Sequence, residues 1–513
     1  MMYNVHAPRV LIVGGGLVGL SAALFLQHCG VSSVLVERRV TTSPQPKARR
    51  INMRTMELYR QIGIADAVLA AAEGLAAHQA MAAGPTLAEA EHLPFTLPGG
   101  LPDWDAITPE SGCLCSQDLL EPTLRGLGEQ RGCDIRFGVE CTEFTEDATG
   151  IVATLRAADG TSERVRVDYL IAADGAASPI RRRLGITRDG RGTLGRAVNI
   201  YFRADLAELV RGREFNLCQI ENDSVPGVFA SVDGARRWVY FTSHEIDRPA
   251  DQWAEVIRTA IGVPDIPVEL LSVMQWEPGM FVADRFRAGR VFLAGDAAHV
   301  MPPVAAAGAN TGIQDAHNLA WKLARVLRGE ADAALLDSYD AERRPAGWYT
   351  ADQSSIRTVN LRTMNHESVD GTPLADPFAL MLGYRYPAGA FVPDGSSHTM
   401  DRLDLTGQPG TRVPHRFLSD GRSTLDLVGP GMTLLVGSEG GSWDAAAARA
   451  DILVVDETYC AAAGLMTAGA LLVRPDQIVA RRWPHAVDDP LAAVDAALRT
   501  ILGDAAVCTT VVH

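Results

Sequence analysis

The chain has 513 residues, 47% of them hydrophobic and 21% charged, which is too long for one core and apolar enough for two or three. Lys and Arg number 47 against 62 Asp and Glu, and the net charge of −15 argues against non-specific attraction to nucleic acid or anionic lipid. The eight cysteines contain no CxxC pair and no regular framework, so reduced thiols in a cytoplasmic protein are expected, and Cys113 and Cys115 alone do not make a metal site.

The apolar run from Val10 to Leu26 is broken by glycines, has no basic flank beyond Arg9 and is too short to span a bilayer. No membrane anchor is therefore expected. The run reads better as a strand over Arg9–Val13, a loop Gly14–Gly19 and a helix Leu20–Cys29 closed by Gly30. A strand Ser33–Val36 then ends at Glu37, which completes a βαβ unit. Helical spacing of Met56, Tyr59 and Ile62 predicts a helix over Thr55–Ile62, stopped by Gly63.

Strands are predicted at Ile135–Val139, Val152–Leu155 and Arg164–Ile171, with Asp159 and Gly160 turning between the last two. Residues 186–280 alternate like strands, as in Val198–Phe202 and Trp238–Thr242, without a second glycine-rich loop. A separate sheet layer is expected there. The buried strand Val291–Ala294 runs into Gly295, Asp296 and a Pro302-Pro303 turn, and a helix follows over Thr311–Leu327. Residues 371–424 read as a connector rich in Gly, Pro, Asp and Ser. From about 425 a new α/β pattern begins, with strands at Met432–Val436, Ile452–Val455, Leu471–Val473 and Ile478–Arg481 and a terminal helix Pro490–Leu502.

In Gly14-x-Gly16-x-x-Gly19 the first glycine permits a tight turn, the second admits a pyrophosphate close to the backbone, and the third lets helix and strand pack. The helix N-terminus then offers free N–H groups to phosphate, and Glu37 lies where an acid binds a ribose diol. The loop alone fits any dinucleotide. Asp296 can accept hydrogen bonds from polyol hydroxyls, although an acid at a strand end also serves as a helix cap or surface charge. Gly308, Ala309 and Asn310 precede a helix whose N-terminus can stabilise negative charge on a reduced flavin ring. Asp174-Gly175 follows another apolar strand. The run Arg181, Arg182, Arg183 beyond it is either a solvated helix face or a contact for anionic cofactor groups.

These segments together resemble the three fingerprints of class A flavoprotein monooxygenases: Gly14–Gly19, Asp174-Gly175 and Gly295-Asp296. Arg54–Glu57, Ser116-Gln117, Asn318–Lys322 and Leu472–Asp476 resemble further family segments, most closely those of the phenol and aromatic-polyketide hydroxylase branch. The resemblance covers nearly the whole chain. It implies a Rossmann-like FAD domain of the p-hydroxybenzoate hydroxylase type, an α+β middle domain and a thioredoxin-like C-terminal domain. The implied boundaries are 1–185 and 281–370 for the FAD domain, with about 75–110 lent to the substrate domain, then 186–280 for the substrate sheet and 425–513 for the last domain.

The resemblance also implies non-covalent FAD, transient NAD(P)H, O2, and hydroxylation of a phenolic or polyketide ring through a C4a-hydroperoxyflavin, with water excluded. Residue by residue, Leu17 and Val18 would lie against the pyrophosphate, Glu37 on the adenosine ribose and Arg38 beside the adenine. Lys47 stands where many relatives carry Arg. Gln117 would meet the ribityl or pyrophosphate region, Asp296 the ribityl hydroxyls, and Gly308–Asn310 the pyrimidine edge. Pro303 and Val304 would face the substrate. Ala305, Ala306 and Ala307 follow, where many relatives have a Gly-Gly pair, and this narrows the backbone choices.

Trp238, Tyr240 and Trp276 are candidate substrate residues that could equally be core. His244 and His299 stay open, no catalytic base is assigned, and no metal is expected. Cys460 and Cys508, the only thiols of the last domain, do not suit dithiol chemistry. A small aromatic partner is expected, with a homodimer as the assembly to test. Baeyer–Villiger insertion, epoxidation and non-catalytic sequestration of an aromatic compound are the rival readings.

Overall fold

The computed structural model describes residues 8–94, 103–364, 367–396, 403 and 405–505. Its largest core surrounds a six-stranded sheet ordered Arg287–Ala288, Val291–Leu293, Tyr169–Ala172, Val10–Val13, Ser33–Glu37, Asp134–Phe137. The last five strands are parallel, and only the edge strand Arg287–Ala288 runs antiparallel. Parallel strands covered on both faces need continuous apolar runs, and Val10, Leu11, Ile12, Leu170, Ile171, Val291 and Phe292 are all buried. The helices Leu17–His28 and Gly308–Leu327 pack against one another over this sheet.

The second layer is a seven-stranded sheet ordered Glu269–Trp276, Ala197–Arg203, Arg237–Thr242, Gly227–Ser231, Leu217–Ile220, Met81–Gly84, Glu91–His92. Two strands from the 81–92 stretch thus complete a sheet otherwise built from residues 197–276. Its far face packs on the helix Trp253–Ile261 through Val198, Ile200, Phe202, Trp238 and Ile257. Because side chains alternate along a strand, Asn199, Tyr201, Val239 and Phe241 lie on the opposite face. That face meets the first domain: Ser272, opposite Tyr201 in the ladder, exchanges hydrogen bonds with the Gln45 side chain at 3.2–3.3 Å.

The last domain has a four-stranded sheet, Asp451–Val454, Thr433–Val436, Ala470–Val473, Val479–Trp483, flanked by the helix Pro490–Leu502. The turn between its last two strands enters the first domain. There Arg474 pairs with Glu342 at 2.6 Å and Asp476 at 2.5 Å, Lys322 pairs with Glu342 at 2.7 Å, and Asn318 donates to Glu342 at 2.7 Å. Neither residues 384–392 nor 408–416 behave as a free tether. Arg412 is buried against Glu57, and Arg385 donates to the Pro409 carbonyl at 2.9 Å.

Candidate functional site

Three segments far apart in sequence meet at the carboxyl ends of the parallel strands, and the side chain of Val18 joins them. A methyl on Gly295 would sit 2.8 Å from Val18 Cγ2, and one on Gly312 2.6 Å from the same atom. Gly14, at φ +116°, turns the chain off its strand under the Ala173 carbonyl, where no side chain fits. A methyl on Gly19 would overlap the Gly14 carbonyl oxygen. Gly16 differs, because a methyl there would meet nothing closer than Glu121 Oε1 at 3.6 Å. Packing within the protein therefore explains Gly14 and Gly19, while Gly16 borders open space at the start of the helix Leu17–His28. No side chain caps that helix. Its N–H groups are suited to phosphate.

Glu37 lies at the strand end beside this loop and accepts from Gly15 N at 2.8 Å and Arg39 N at 2.9 Å. Leu17 is buried, Val18 is the wedge described above, and Arg38 is exposed. Gln117 accepts weakly from Ala48 N at 3.4 Å and donates to Glu121 at 2.6 Å. It thereby ties the segment carrying Lys47 to the helix Gln117–Gln130. Glu121 is itself a buried acid beneath the glycine loop, which the sequence reading missed. It accepts from Ser43 N at 2.7 Å, and burial pushes its carboxyl up.

Gly295 is buried, with φ +62°, and points its N–H at Asp315 at 3.1 Å. Asp315, also absent from the sequence reading, accepts from His299 at 2.7 Å and Arg343 at 2.8 Å, with all three side chains fully buried. Burial raises its carboxyl, but the charges of His299 and Arg343 outweigh that and lower it. His299 is thus a structural partner of Asp315. Asp296, the next residue after Gly295, behaves oppositely. Its side chain is exposed, no protein group among the described residues bonds it, and the desolvating walls around it still raise its carboxyl, opposed by His299 and Lys47. An acid that is open yet desolvated lies in a concave cleft.

Asp174 accepts from Ile180 N at 3.1 Å, and its other oxygen is buried without a partner among the described residues. Burial raises its carboxyl. Of the arginine run, Arg182 and Arg183 are exposed, while Arg181 is buried and donates to the Ala297 carbonyl at 2.9 Å. Arg181 thereby joins the Asp174 and Asp296 turns rather than facing solvent.

Pro303 begins a short turn that ends at Ala306, which adopts φ +50°. Pro303 is exposed and Val304 half-buried. The helix Gly308–Leu327 follows with no side-chain cap and no acid in its first turn. Its leading N–H groups at Gly308, Ala309 and Asn310 are suited to an anion. The Asn310 side chain is spent within the protein. It donates to the Arg50 and Ala306 carbonyls and accepts from Asn52 N and Thr55 Oγ1. Only its backbone N–H remains for a ligand.

Two of the candidate aromatic residues are corrected by the sheet. Trp238 and Tyr240 have no exposed surface and sit on the far face, bonded to the carbonyls of Ala204 and Val225. The period of two turns them away from the first domain. Trp276 lies on the near face, half-buried, and donates to Asn199 at 2.9 Å. The alternation of Asn199 and Tyr201 with Val198, Ile200 and Phe202 was the signal available in sequence for the near face.

The seven described cysteines are free, and burial raises Cys113 to about 11 and Cys115 to about 12. Cys508 lies outside the described residues. No metal-binding group and no helix long and apolar enough to cross a membrane occurs among the described residues.

These features fit FAD. An open glycine and an uncapped helix suit its diphosphate, an open acid suits its sugar alcohol, and a second uncapped helix suits the electron-rich edge of its ring. Comparison with known proteins defines the class. Residues 8–354 match the family model described as FAD binding domain, and residues 406–505 match that described as aromatic-ring hydroxylase, C-terminal. The chain belongs to the FAD-dependent aromatic-ring hydroxylases of class A, and it is a flavin-dependent monooxygenase.

Among curated proteins it is 40% identical to tetracenomycin B2 monooxygenase-dioxygenase of Streptomyces olivaceus, covering 98% of this chain and 99% of that one. It is 39% identical to 4-methyl-5-nitrocatechol 5-monooxygenase of a Burkholderia species, covering 97% of each. Among solved structures it superposes on aklavinone-11 hydroxylase in complex with FAD and aklavinone with a TM-score of 0.85 and 32% identity, covering 97% of this chain and 99% of that one.

Proposed function

We propose that the protein hydroxylates a phenolic or polyketide aromatic ring held between the first domain and the near face of the seven-stranded sheet, using NAD(P)H and O2. The observation that carries this reading is the pairing of an open, desolvated Asp296 with an uncapped helix N-terminus on one cleft wall. The relatives described above act on tetracenomycin, nitrocatechol and aklavinone, all aromatic molecules. When bound, FAD supplies reducing equivalents and activated oxygen for transfer of one oxygen atom to the ring.

The chain's own residues bind, orient and seal. The Gly14–Gly19 loop and the helix behind it hold the diphosphate, with Gln117 and Lys47 alongside, and Glu37 and Arg38 take the adenosine end. Asp296 accepts from the sugar alcohol. Asp174 and Arg181 brace the turn that carries Asp296. The N–H groups of Gly308, Ala309 and Asn310 face the pyrimidine edge. Pro303 and Val304 border the substrate on one side. Asn199, Tyr201, Phe241 and Trp276 border it on the other, and their apolar surfaces exclude water.

The protein is proposed to act in the cytoplasm, and a homodimer is the assembly to test by light scattering. The function is tested by loading the protein with FAD and measuring NAD(P)H oxidation against a panel of phenols and polycyclic quinones in 18O2. The expected product is a ring hydroxyl carrying one labelled oxygen, with NAD(P)H oxidation faster in the presence of substrate. A labelled lactone or epoxide would assign a different insertion chemistry. Failure of NAD(P)H to bleach the flavin with ligand bound would remove the enzyme reading.

A further inference from the structure

Three contacts join the near side of the seven-stranded sheet to the rest of the chain, and they fall at its margins. Gln45 meets Ser272 on the edge strand Glu269–Trp276 at 3.2–3.3 Å. Arg49 meets the Ser231 carbonyl and, at 2.9 Å, Asn216, just before the strand Leu217–Ile220. Leu361, beyond the helix Asp337–Ser355, donates its N–H to Gln219 Oε1 at 2.7 Å. Asn199, Tyr201 and Phe241 lie on strands between these margins, on the face opposite the core residues Val198 and Ile200, and all three are half-buried. Strand order and alternation therefore place them in the interdomain space.

Hydrogen bonds within the protein fix the polarity of this face. An indole N–H can only donate, so the Trp276 contact of 2.9 Å commits the carboxamide oxygen of Asn199 and turns its NH2 the other way. No hydrogen bond from that NH2 occurs among the described residues. Asn199 pairs with Met274, so Trp276 stands diagonal to it on the same face of the ladder. Tyr201 repeats the pattern more weakly. Arg237 Nη1, which also only donates, lies 3.5 Å from its hydroxyl oxygen and leaves the hydroxyl proton uncommitted. Arg237 itself is neutralised by Asp118 at 2.7 Å and Asp233 at 3.0 Å.

Asn199 and Tyr201 thus offer donors to the cleft while their acceptors are used by the protein. A hydroxyl of a bound ring placed against them finds no acceptor for its proton, and an unsatisfied buried hydroxyl is costly. A carbonyl oxygen has no proton to place and is matched by a neutral N–H.

We infer that Asn199 Nδ2 donates to a ring carbonyl of the substrate. Asn199, held by Trp276, is then the residue that selects a hydroxy-ketone or hydroxyquinone over a simple phenol. This rests on the hydroxylase reading above and narrows its substrate class.

The test uses the FAD-loaded protein and two probes of one skeleton. The first, 5-hydroxy-1-tetralone, carries a phenol and a ring ketone; in the second, 5,6,7,8-tetrahydro-1-naphthol, the ketone is a methylene. Binding is followed by the change in the visible flavin spectrum. Wild type is expected to bind the ketone about tenfold more tightly. Asn199→Asp keeps an acceptor for the Trp276 N–H but replaces the donor by a carboxylate oxygen, and is expected to abolish or reverse that preference. Trp276→Phe leaves Asn199 without its clamp and is expected to reduce the preference about threefold at unchanged FAD affinity. Should Asn199→Asp not retain FAD, Asn199→Ala is read in its place, with loss of the preference expected.

Equal affinity of wild type for the two probes overturns the inference. So does an Asn199 variant that keeps the wild-type preference, or one that loses both probes equally, as a purely structural residue would. A protein that consumes NAD(P)H to hydroxylate phenols but shows no preference for the ketone keeps its function and loses this assignment. One that prefers the ketone through Asn199, yet never reduces its flavin with NAD(P)H, keeps the contact and loses the hydroxylase reading.

Discussion

Two polar concentrations lie on opposite ends of the helix Gly308–Leu327, and they differ in where their hydrogen bonds go. At the far end Glu342, Lys322, Arg474, Asp476 and Asn318 bond one another, and the four charged members are almost without exposed surface. At the near end Asp296, Lys47 and Arg50 are exposed and form no hydrogen bond or ion pair through their side chains among the described residues. The first network locks the last domain onto the first. The second is set up for something the chain does not itself contain. Burial and polarity alone do not separate structural from functional residues, whereas the accounting of partners does.

Removing one member of the locked network should give the largest effect. Arg474→Met leaves Glu342 and Asp476 with less compensation in a dry site and should cost about 3–5 kcal/mol, read as a fall in Tm of the FAD-loaded protein. An unchanged Tm would erase the distinction between the two ends.

The same network predicts acid sensitivity. Although burial pushes the Glu342 carboxyl up, Arg474 and Lys322 hold it at about 2, against an ordinary value of 4.5. A depressed carboxyl contributes stability that is complete above its unfolded value and is lost as pH falls through the folded one. Stability should therefore decline between about pH 4.5 and 2, and Glu342→Gln should flatten that decline in denaturant titrations while lowering stability at neutral pH.

The open end should respond in binding rather than in folding. Asp296→Asn is expected to weaken FAD by about tenfold or more, the loss of hydrogen bonds to a charged acceptor, without lowering the Tm of the FAD-free protein. Within the loop the comparison sharpens further. Gly19→Ala should disturb folding, because its methyl overlaps the Gly14 carbonyl, whereas Gly16→Ala should fold normally and lose FAD affinity, because only a ligand approaches there. Equal Tm losses for the two loop variants would show that Gly16 is also held by packing. The smallest effect is expected at Ala306, an alanine with φ +50°. Ala306→Gly should stabilise by about 0.5–1 kcal/mol, seen as a modest rise in Tm.

Much of the fold was legible because its signals are local. The βαβ unit follows from an apolar run, three spaced glycines and an acid at the next strand end, and the terminal helix follows from its spacing. Asp315 and Glu121 were missed because their roles depend on partners far along the chain: Arg343 for one and Ser43 for the other. Trp238 and Tyr240 were misplaced for a related reason. Strand alternation tells which residues share a face, but only the packing of the helix Trp253–Ile261 decides which face is inside.

The sequence by itself determined the dinucleotide loop, the position of Asp296 at a strand end and the family, since each is a contiguous motif whose geometry follows from backbone conformation. The tertiary structure alone decided which of the many charged residues are spent and which remain open. That depends on whether distant segments bring a partner: Glu342 meets Lys322 and Arg474, while the Arg50 side chain forms no ion pair among the described residues, and no local pattern in the chain records the difference.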